Sequence, residues 1–531
     1  MKQNGLKVTP EGLTRRTASS RLLLNASRRA QKPPSESGSN DQRESGGEEQ
    51  GSTSAPITRL SRQRMYALLL ASDPNYNGRF FAGVLTTGIY CLPSCKARKP
   101  KPDNVRFFRS VDAARAAGLR PCRKCHPDDF ARGADPVLES IESLVKEIRA
   151  RPTAFPDTHS IVRRSGFGAT RLFELFRQHY HTTPADLLLR ARLRVAKHSL
   201  ATTNDSLSSI AYDAGLDALS AFHENFRRLN GLTPSAYRDL RSTRSFELAL
   251  PEGYPLPYLR RALGRDPQSL TERLKNDDFT TVIHFTGGPA LLTLRLSPHS
   301  VQVETSSNNS FEAHEVVVAL LGLEQDAAAF GRLSRRLGLA RLVAGREDLR
   351  ICQTTSLFEG LTWSLIGQQI NFPFACLLKR RLVERAGTPL ADGLYAPPDP
   401  QAVAALSQQD LLKLQFSRNK ADYLLRLARL IVEGKLQLDT LKSSSATRVQ
   451  RTLLSLRGFG PWSANYVMMR SFGFLDCVPL GDTGVSSGLK SLLQLEERPD
   501  IDAVRRLMSV FAPFRSLATA HLWQFNQSTP I

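Results

Sequence analysis

Four of the seven cysteines fall in one stretch, as Cys91-x3-Cys95, a gap of 26 residues, and Cys122-x2-Cys125. Two close pairs a short domain apart suit a tetrahedral zinc site, one Zn2+ on four sulfurs. Zinc keeps coordinated thiols ionised at neutral pH, so such a cluster is also a nucleophile that needs no separate base. Four thiolates on a divalent cation leave a doubly negative centre, and alkylating one sulfur to a thioether halves that charge. From spacing alone a purely structural zinc is the stronger reading. Cys352, Cys376 and Cys477 are scattered beside apolar residues and are expected to be inert core thiols. This is one metal site with buried thiols, not a disulfide framework, and it points to a reducing compartment. A second feature is Gly458-Phe459-Gly460 between two helical segments. Glycines there allow close backbone approach, and the following helix N-terminus offers amides to a phosphate. An ordinary helix connection carries Gly-x-Gly as often.

The surroundings are more specific. Thr86-Thr87-Gly88-Ile89-Tyr90-Cys91-Leu92-Pro93-Ser94-Cys95-Lys96-Ala97-Arg98, followed by Arg120-Pro121-Cys122-Arg123-Lys124-Cys125, closely resembles the amino-terminal domain of Ada-type methyl-acceptor proteins. The resemblance implies that Cys91 removes a methyl group from a DNA phosphotriester, with Thr87 and Arg98 near the reactive thiolate. The acceptor would be consumed, making the domain a stoichiometric reagent. Because the centre loses negative charge, methylation should strengthen DNA binding.

Ser209-Ile210-Ala211-Tyr212-Asp213-Ala214-Gly215-Leu216, leading to Gly231-Leu232-Thr233-Pro234, resembles the second helix-turn-helix unit of AraC-type regulators. An earlier unit departs from that pattern, with His181-Thr182-Thr183-Pro184 where glycine is usual.

Asp482 lies twenty-two residues after Gly460, within Pro479-Leu480-Gly481-Asp482-Thr483-Gly484-Val485. This hairpin, loop and carboxylate resemble the helix-hairpin-helix DNA glycosylases. Leu365-Ile366-Gly367-Gln368-Gln369 and the segment from Phe514 to Trp523 are similar to the AlkA-type 3-methyladenine glycosylases. The resemblance implies that Asp482 is the catalytic carboxylate, stabilising the positive charge that develops on the sugar as the glycosidic bond breaks. The target base would be flipped out of the stack and received by Trp462, Tyr466 and Trp523. Their electron-rich faces favour a cationic alkylated purine by about 0.5–2 kcal/mol per contact. Gly458, Gly460 and Gln369 would touch DNA, Gln369 standing at a wedge position that is often leucine. Relatives such as endonuclease III have a lysine nucleophile where Trp462 stands and a late cysteine cluster for iron and sulfur, whereas no cysteine follows Cys477. A monofunctional glycosylase is therefore expected. No Pro-Cys-His-Arg segment occurs, so the O6-methylguanine transferase domain of full Ada proteins has no counterpart.

These sites need several domains to hold them. At 531 residues, three or four are expected at about 150 residues each. The net charge of +22 attracts polyanions, DNA or RNA first. No apolar run approaches the ~18 residues of a membrane span. A soluble, cytoplasmic, nucleoid-associated monomer is expected, assuming a bacterial source.

Residues 1–62 are poor in apolar side chains and read as a disordered basic tail; their basic, Ser-rich start is also a faint transit-peptide pattern. The rest reads as mainly α. A small zinc-bound α/β domain spans 63–132, and an all-α double helix-turn-helix spans 137–242. An α/β domain follows at 245–335, with strands Thr280–Phe285, Leu291–Leu296 and Val301–Glu304. An all-α helix-hairpin-helix domain occupies 336–531, helical to its end. Recognition helices are expected near Ala169–His179 and Leu219–Leu229. Leu172, Leu175, Phe176, Phe222 and Phe226 should point inward, leaving Ser220, His223, Arg227 and Arg228 more exposed. A helix near Ala185–Leu200 could set the two in successive major grooves.

The combined expectation is repair of alkylated double-stranded DNA. A DNA-3-methyladenine glycosylase II activity would be joined to a methyl acceptor, with transcription control through promoter DNA and RNA polymerase. The alternative is a methylation-responsive regulator whose glycosylase half is inactive.

Overall fold

The computed structural model describes residues 60–525 apart from Pro74, Asn75 and Ala134. The tail expected over 1–62 thus falls almost entirely outside the described residues. The chain divides into two units, the described residues up to Val145 and those from Lys146 onward.

In the first unit, β1 (Phe81–Val84), β2 (Ile89–Cys91), β3 (Val105–Phe108) and β4 (Arg120–Pro121) form one sheet in the order β3-β1-β2-β4. β1 pairs antiparallel with β2 and β3, and β2 pairs parallel with β4. Phe81, Tyr90, Leu92 and Phe108 make its small core. The Tyr90 hydroxyl donates to Asp128, whose carboxylate also takes Arg115. That pair of contacts fastens helix Pro127–Ala131 to the strand that ends in Cys91.

The second unit begins with the helical region. Helix Thr158–Ser165 is opened by a capping box of Asp157 and Ser160 and stops at Gly166. Helices Ala169–Tyr180, Pro184–Thr202, Leu207–Asp213 and Leu219–Asn230 follow. Leu172, Leu175, Phe176, Phe222 and Phe226 are fully buried, in keeping with their i, i+3, i+4 spacing.

The expected strands appear as β7 (Asp278–Phe285), β8 (Gly288–Leu296) and β9 (Ser300–Thr305). Two outer strands were not anticipated, β5 (Ser245–Ala249) and β6 (Glu272–Lys275), which complete an antiparallel sheet in the order β5-β9-β8-β7-β6. One apolar core runs from Phe222, Phe226 and Tyr237 to Phe246, Leu248, Leu292 and Val303. His314 donates through Nε2 to the Asn230 carbonyl at 2.8 Å, and the Ala249 amide donates to the Gly231 carbonyl at 2.8 Å. The helix-turn-helix region and the sheet therefore share their interior.

Beyond residue 330 the chain is not helical throughout. Thr388–Pro389 pairs antiparallel with Tyr395–Ala396, and the Tyr395 amide reaches the Leu270 carbonyl at 2.7 Å. Pro389, Pro397 and Pro398 deny the stretch helical amides, and Asp392 and Gly393 turn it with φ of 58° and 71°. The remainder packs helices around one large apolar cluster. Cys352, Cys376 and Cys477 are buried, and burial raises all three thiols, Cys376 to about 11. Among the described residues, no helix is long and apolar enough to cross a membrane.

Candidate functional site

The four clustered sulfurs lie within 4.8 Å of one another. A tetrahedral Zn2+ with bonds of about 2.3 Å would hold them about 3.8 Å apart, so a slight contraction suffices. Cys91 ends β2, and Cys95 follows in a turn closed by its amide on the Leu92 carbonyl at 3.1 Å. Cys122 follows β4 and is tied back to the Tyr90 carbonyl at 3.0 Å. The Leu92 amide points at Cys125 Sγ and the Lys124 amide at Cys122 Sγ, each at 3.4 Å. Without a cation the sulfurs compete for protons: the Cys125 and Cys95 sulfurs, with burial, hold the Cys91 thiol far above its ordinary range. That crowding is the chemistry of a donor set made for a metal, and the chain binds Zn2+ through these cysteines.

Thr87 is exposed in the β1–β2 turn and Arg98 is exposed beyond Cys95. Cys91 is only 7% exposed, whereas Cys125 is the half-buried member of the four. Lys99, not singled out from the sequence, brings Nζ to 2.5 Å from the Cys95 carbonyl. Its position four residues after a ligand cysteine, within a basic run, was the available signal.

The second site is built around Asp482, the N-cap of helix Thr483–Leu493. Its Oδ1 accepts from the Val485 amide at 3.0 Å and from Trp523 Nε1 at 2.9 Å, and its Oδ2 accepts from Trp462 Nε1 at 3.0 Å. Trp462 stands at the start of helix Pro461–Arg470 and Trp523 near the end of helix Arg515–Phe525. Three helix segments thus converge on one carboxylate. Trp462 and Tyr466 are stacked, with ring centroids 5.2 Å apart and planes at 17°. A base between them would need about 7 Å, two contacts of about 3.5 Å. The slot between the two rings is thus too narrow to admit a base. Tyr466 and Trp523 are 6.3 Å apart and tilted by 46°.

Gly484 is a participant that sequence reading missed. A Cβ there would stand 2.7 Å from Trp523 Cδ1 and 3.1 Å from Asp482 Oδ1. Only the pairing of this glycine with a tryptophan thirty-nine positions later could have signalled it. Gly484→Ala should lower the single-turnover rate of base release about tenfold by displacing the indole. The helix itself should not suffer, since alanine is the better helix former. A wild-type rate in the variant would show that the indole's position is immaterial.

The hairpin between helices Ala446–Ser455 and Pro461–Arg470 is tight for a local reason. Gly458 has φ +93°, and a Cβ there would lie 2.4 Å from the Tyr423 ring. Gly460 instead has no atom beyond its own chain neighbours within 4 Å of the position its Cβ would take, leaving open space there. Gln368 donates through Nε2 to the Gly458 carbonyl at 2.9 Å and to Ser463 Oγ at 2.8 Å. It binds the Leu365–Gln369 segment to the hairpin. Gln369 is exposed and held at φ +55° between two helices. In helix Leu219–Asn230, Ser220, Arg227 and Arg228 are exposed and His223 is half-buried against Phe222.

Three family models match the chain in sequence order. The metal binding domain of Ada matches residues 64–128, a helix-turn-helix domain 161–240, and the HhH-GPD superfamily base excision DNA repair protein 362–513. A protein of Mycobacterium tuberculosis, described as a probable bifunctional transcriptional activator/DNA repair enzyme AlkA, is 27% identical over 487 residues, 87% of this chain and 96% of its own. A DNA-3-methyladenine glycosylase of Bacillus subtilis is 26% identical over 52% of this chain and 95% of its own. The bifunctional transcriptional activator/DNA repair enzyme Ada of Escherichia coli is 29% identical over 34% of this chain and 50% of its own. The chain is thus a fusion of an Ada-type metal-binding domain, a helix-turn-helix domain and an HhH-GPD base excision repair domain.

Proposed function

We infer that the chain repairs alkylated DNA in two ways: it excises bases such as 3-methyladenine, and it takes methyl groups from backbone phosphotriesters onto Cys91. The observation that carries the first reading is the Asp482 carboxylate fixed by two indole N–H groups and a helix amide. A carboxylate so held is preorganised to stabilise an oxocarbenium-like sugar, because no reorganisation is needed as the charge develops. The C1′–N bond breaks, the base departs with the bonding electrons, and water completes the sugar. Trp462, Tyr466 and Trp523 would cover a flipped purine on an outer ring face, favouring a cationic one. Gly460 and the amides after it would take a DNA phosphate, and Gln369 would enter the vacated stack.

In the second reaction Cys91 Sγ bonds to the methyl carbon while the carbon–oxygen bond of the triester breaks. The electron pair leaves with an ordinary phosphodiester, and the thioether is not regenerated, so the domain acts once. Zinc supplies ionised sulfur at neutral pH. Thr87 and Arg98, exposed beside the cluster, would bind the phosphate. Ser220, His223 and Arg227 would face promoter DNA, and activation would require contact with RNA polymerase. Two recognition helices in one chain allow a monomer to read two adjacent sites.

Base release from methylated duplex DNA tests the first reading. Because tryptophan occupies position 462 instead of lysine, the product should be an intact abasic site, and borohydride should trap no protein on DNA. A trapped complex would overturn the monofunctional assignment. Absence of free 3-methyladenine would favour a regulator with a silent glycosylase half.

A further inference from the structure

The two helix-turn-helix units end differently. The second stops at Gly231 with φ +68°, whereas the first stops at His181 with φ +54°. A side chain in that conformation costs about 1 kcal/mol that glycine avoids. The histidine must therefore be explained by what its ring does.

The ring leaves its own unit and enters the loop after helix Pro461–Arg470. Its Nδ1 accepts from the Asp476 amide at 3.1 Å, and the ring stands edge-on to Phe474 at 5.3 Å with Cys477 Sγ at 4.0 Å. An acceptor at Nδ1 means a neutral ring protonated on Nε2. Loss of hydration holds the imidazole at about 4, with Asp476 pulling the other way, so it stays neutral at physiological pH.

Asp476 and Cys477 are the anchor of the excision site. Both Asp476 oxygens grip Arg515, at 2.6 and 2.8 Å, and Arg515 opens the helix that carries Trp523. Ser516 accepts from the Cys477 amide at 2.9 Å. Six residues after Asp476 the same loop delivers Asp482. Nearby, His179 shares a 2.8 Å hydrogen bond with Thr447, docking the first recognition helix on the helix that leads into the Gly458 hairpin.

We propose that His181 of the helix-turn-helix module is a positioning residue of the base-excision site, holding the loop from which Asp482 and the Trp523 helix are hung. The inference rests on the reading of Asp482 as the catalytic carboxylate. It makes the DNA-reading module a structural part of the glycosylase.

The test uses the full chain with His181→Gly and His181→Asn. Glycine is the better helix terminator but has no ring. Asparagine tolerates the left-handed conformation and keeps an acceptor near the Nδ1 position. His181→Gly should raise hydrogen exchange at the Asp476 and Cys477 amides about tenfold or more. It should lower kcat for base release roughly ten- to a hundredfold with KM within about twofold. His181→Asn should recover most of both. Asp482→Asn should cut release about 100- to 1,000-fold without altering exchange in the loop, separating failure of the catalytic reading from failure of this one. Unchanged exchange in His181→Gly, or raised exchange with a wild-type kcat, would overturn the proposal.

Discussion

Asp482→Asn should reduce 3-methyladenine release by a factor of about 100 to 1,000, the ~3–4 kcal/mol lost when one preorganised electrostatic stabiliser is removed. The substitution isolates charge unusually well here. Asp482 caps a helix through Oδ1 and Val485, and asparagine caps as effectively as aspartate. An asparagine can keep its oxygen toward Val485 and Trp523. Its amide nitrogen then faces Trp462 Nε1, so one hydrogen bond is lost, with a stability cost of about 1–2 kcal/mol. The variant should therefore fold and bind duplex DNA while failing at the chemical step. Single-turnover release, thermal unfolding and duplex affinity measured side by side check all three. Undiminished release would mean that another carboxylate does the work.

Cys91→Ala should lose methyl uptake from phosphotriester DNA altogether, because the accepting atom is gone. The wild type should gain one methyl mass, on the peptide that contains Cys91. The structure gives this measurement a competitor, since Cys125 is the more exposed residue of the four and Cys91 is only 7% exposed. A methyl on the Cys125 peptide would move the acceptor role there. Methylation also removes one negative charge from a centre flanked by the exposed Lys96, Arg98, Arg120, Arg123 and Lys124. One charge about 8 Å from a phosphate is worth about 0.5–2 kcal/mol, between aqueous and near-surface screening. Methylated protein should bind duplex DNA more tightly by that amount at low salt, and the gain should vanish near 1 M, where the screening length is about 3 Å. Equal affinities at low salt would remove the switch and leave repair alone.

Much of this was legible in the sequence because it is local. The pairs Cys91/Cys95 and Cys122/Cys125 fall within one turn each, so their spacing alone brings two sulfurs together. Leu172, Leu175 and Phe176, or Phe222 and Phe226, repeat at the helical period, and all five are buried. The Gly458-x-Gly460 turn is set by a backbone angle that one residue type favours. The central strands β7, β8 and β9 alternate strongly enough to be read. Of the outer strands, β6 holds a single apolar residue, Leu274, and β5, although Phe246 and Leu248 alternate inward, is only five residues long.

What the tertiary structure decided involves contacts between residues far apart in the chain. Trp523 meets Asp482 across 41 positions, Gln368 meets Gly458 across 90, and His181 meets Asp476 across 295. No periodicity encodes such pairs, because each depends on how whole helices pack. The greater burial of Cys91 than Cys125 has the same origin, whereas the Trp462–Tyr466 stack joins residues four apart on one helix and is local. Residue types and short spacings determined which chemistries this chain carries. Packing decided that Trp462 and Trp523 meet at Asp482, which of the four cysteines is the more exposed, and that a helix-turn-helix residue reaches the loop that leads to Asp482.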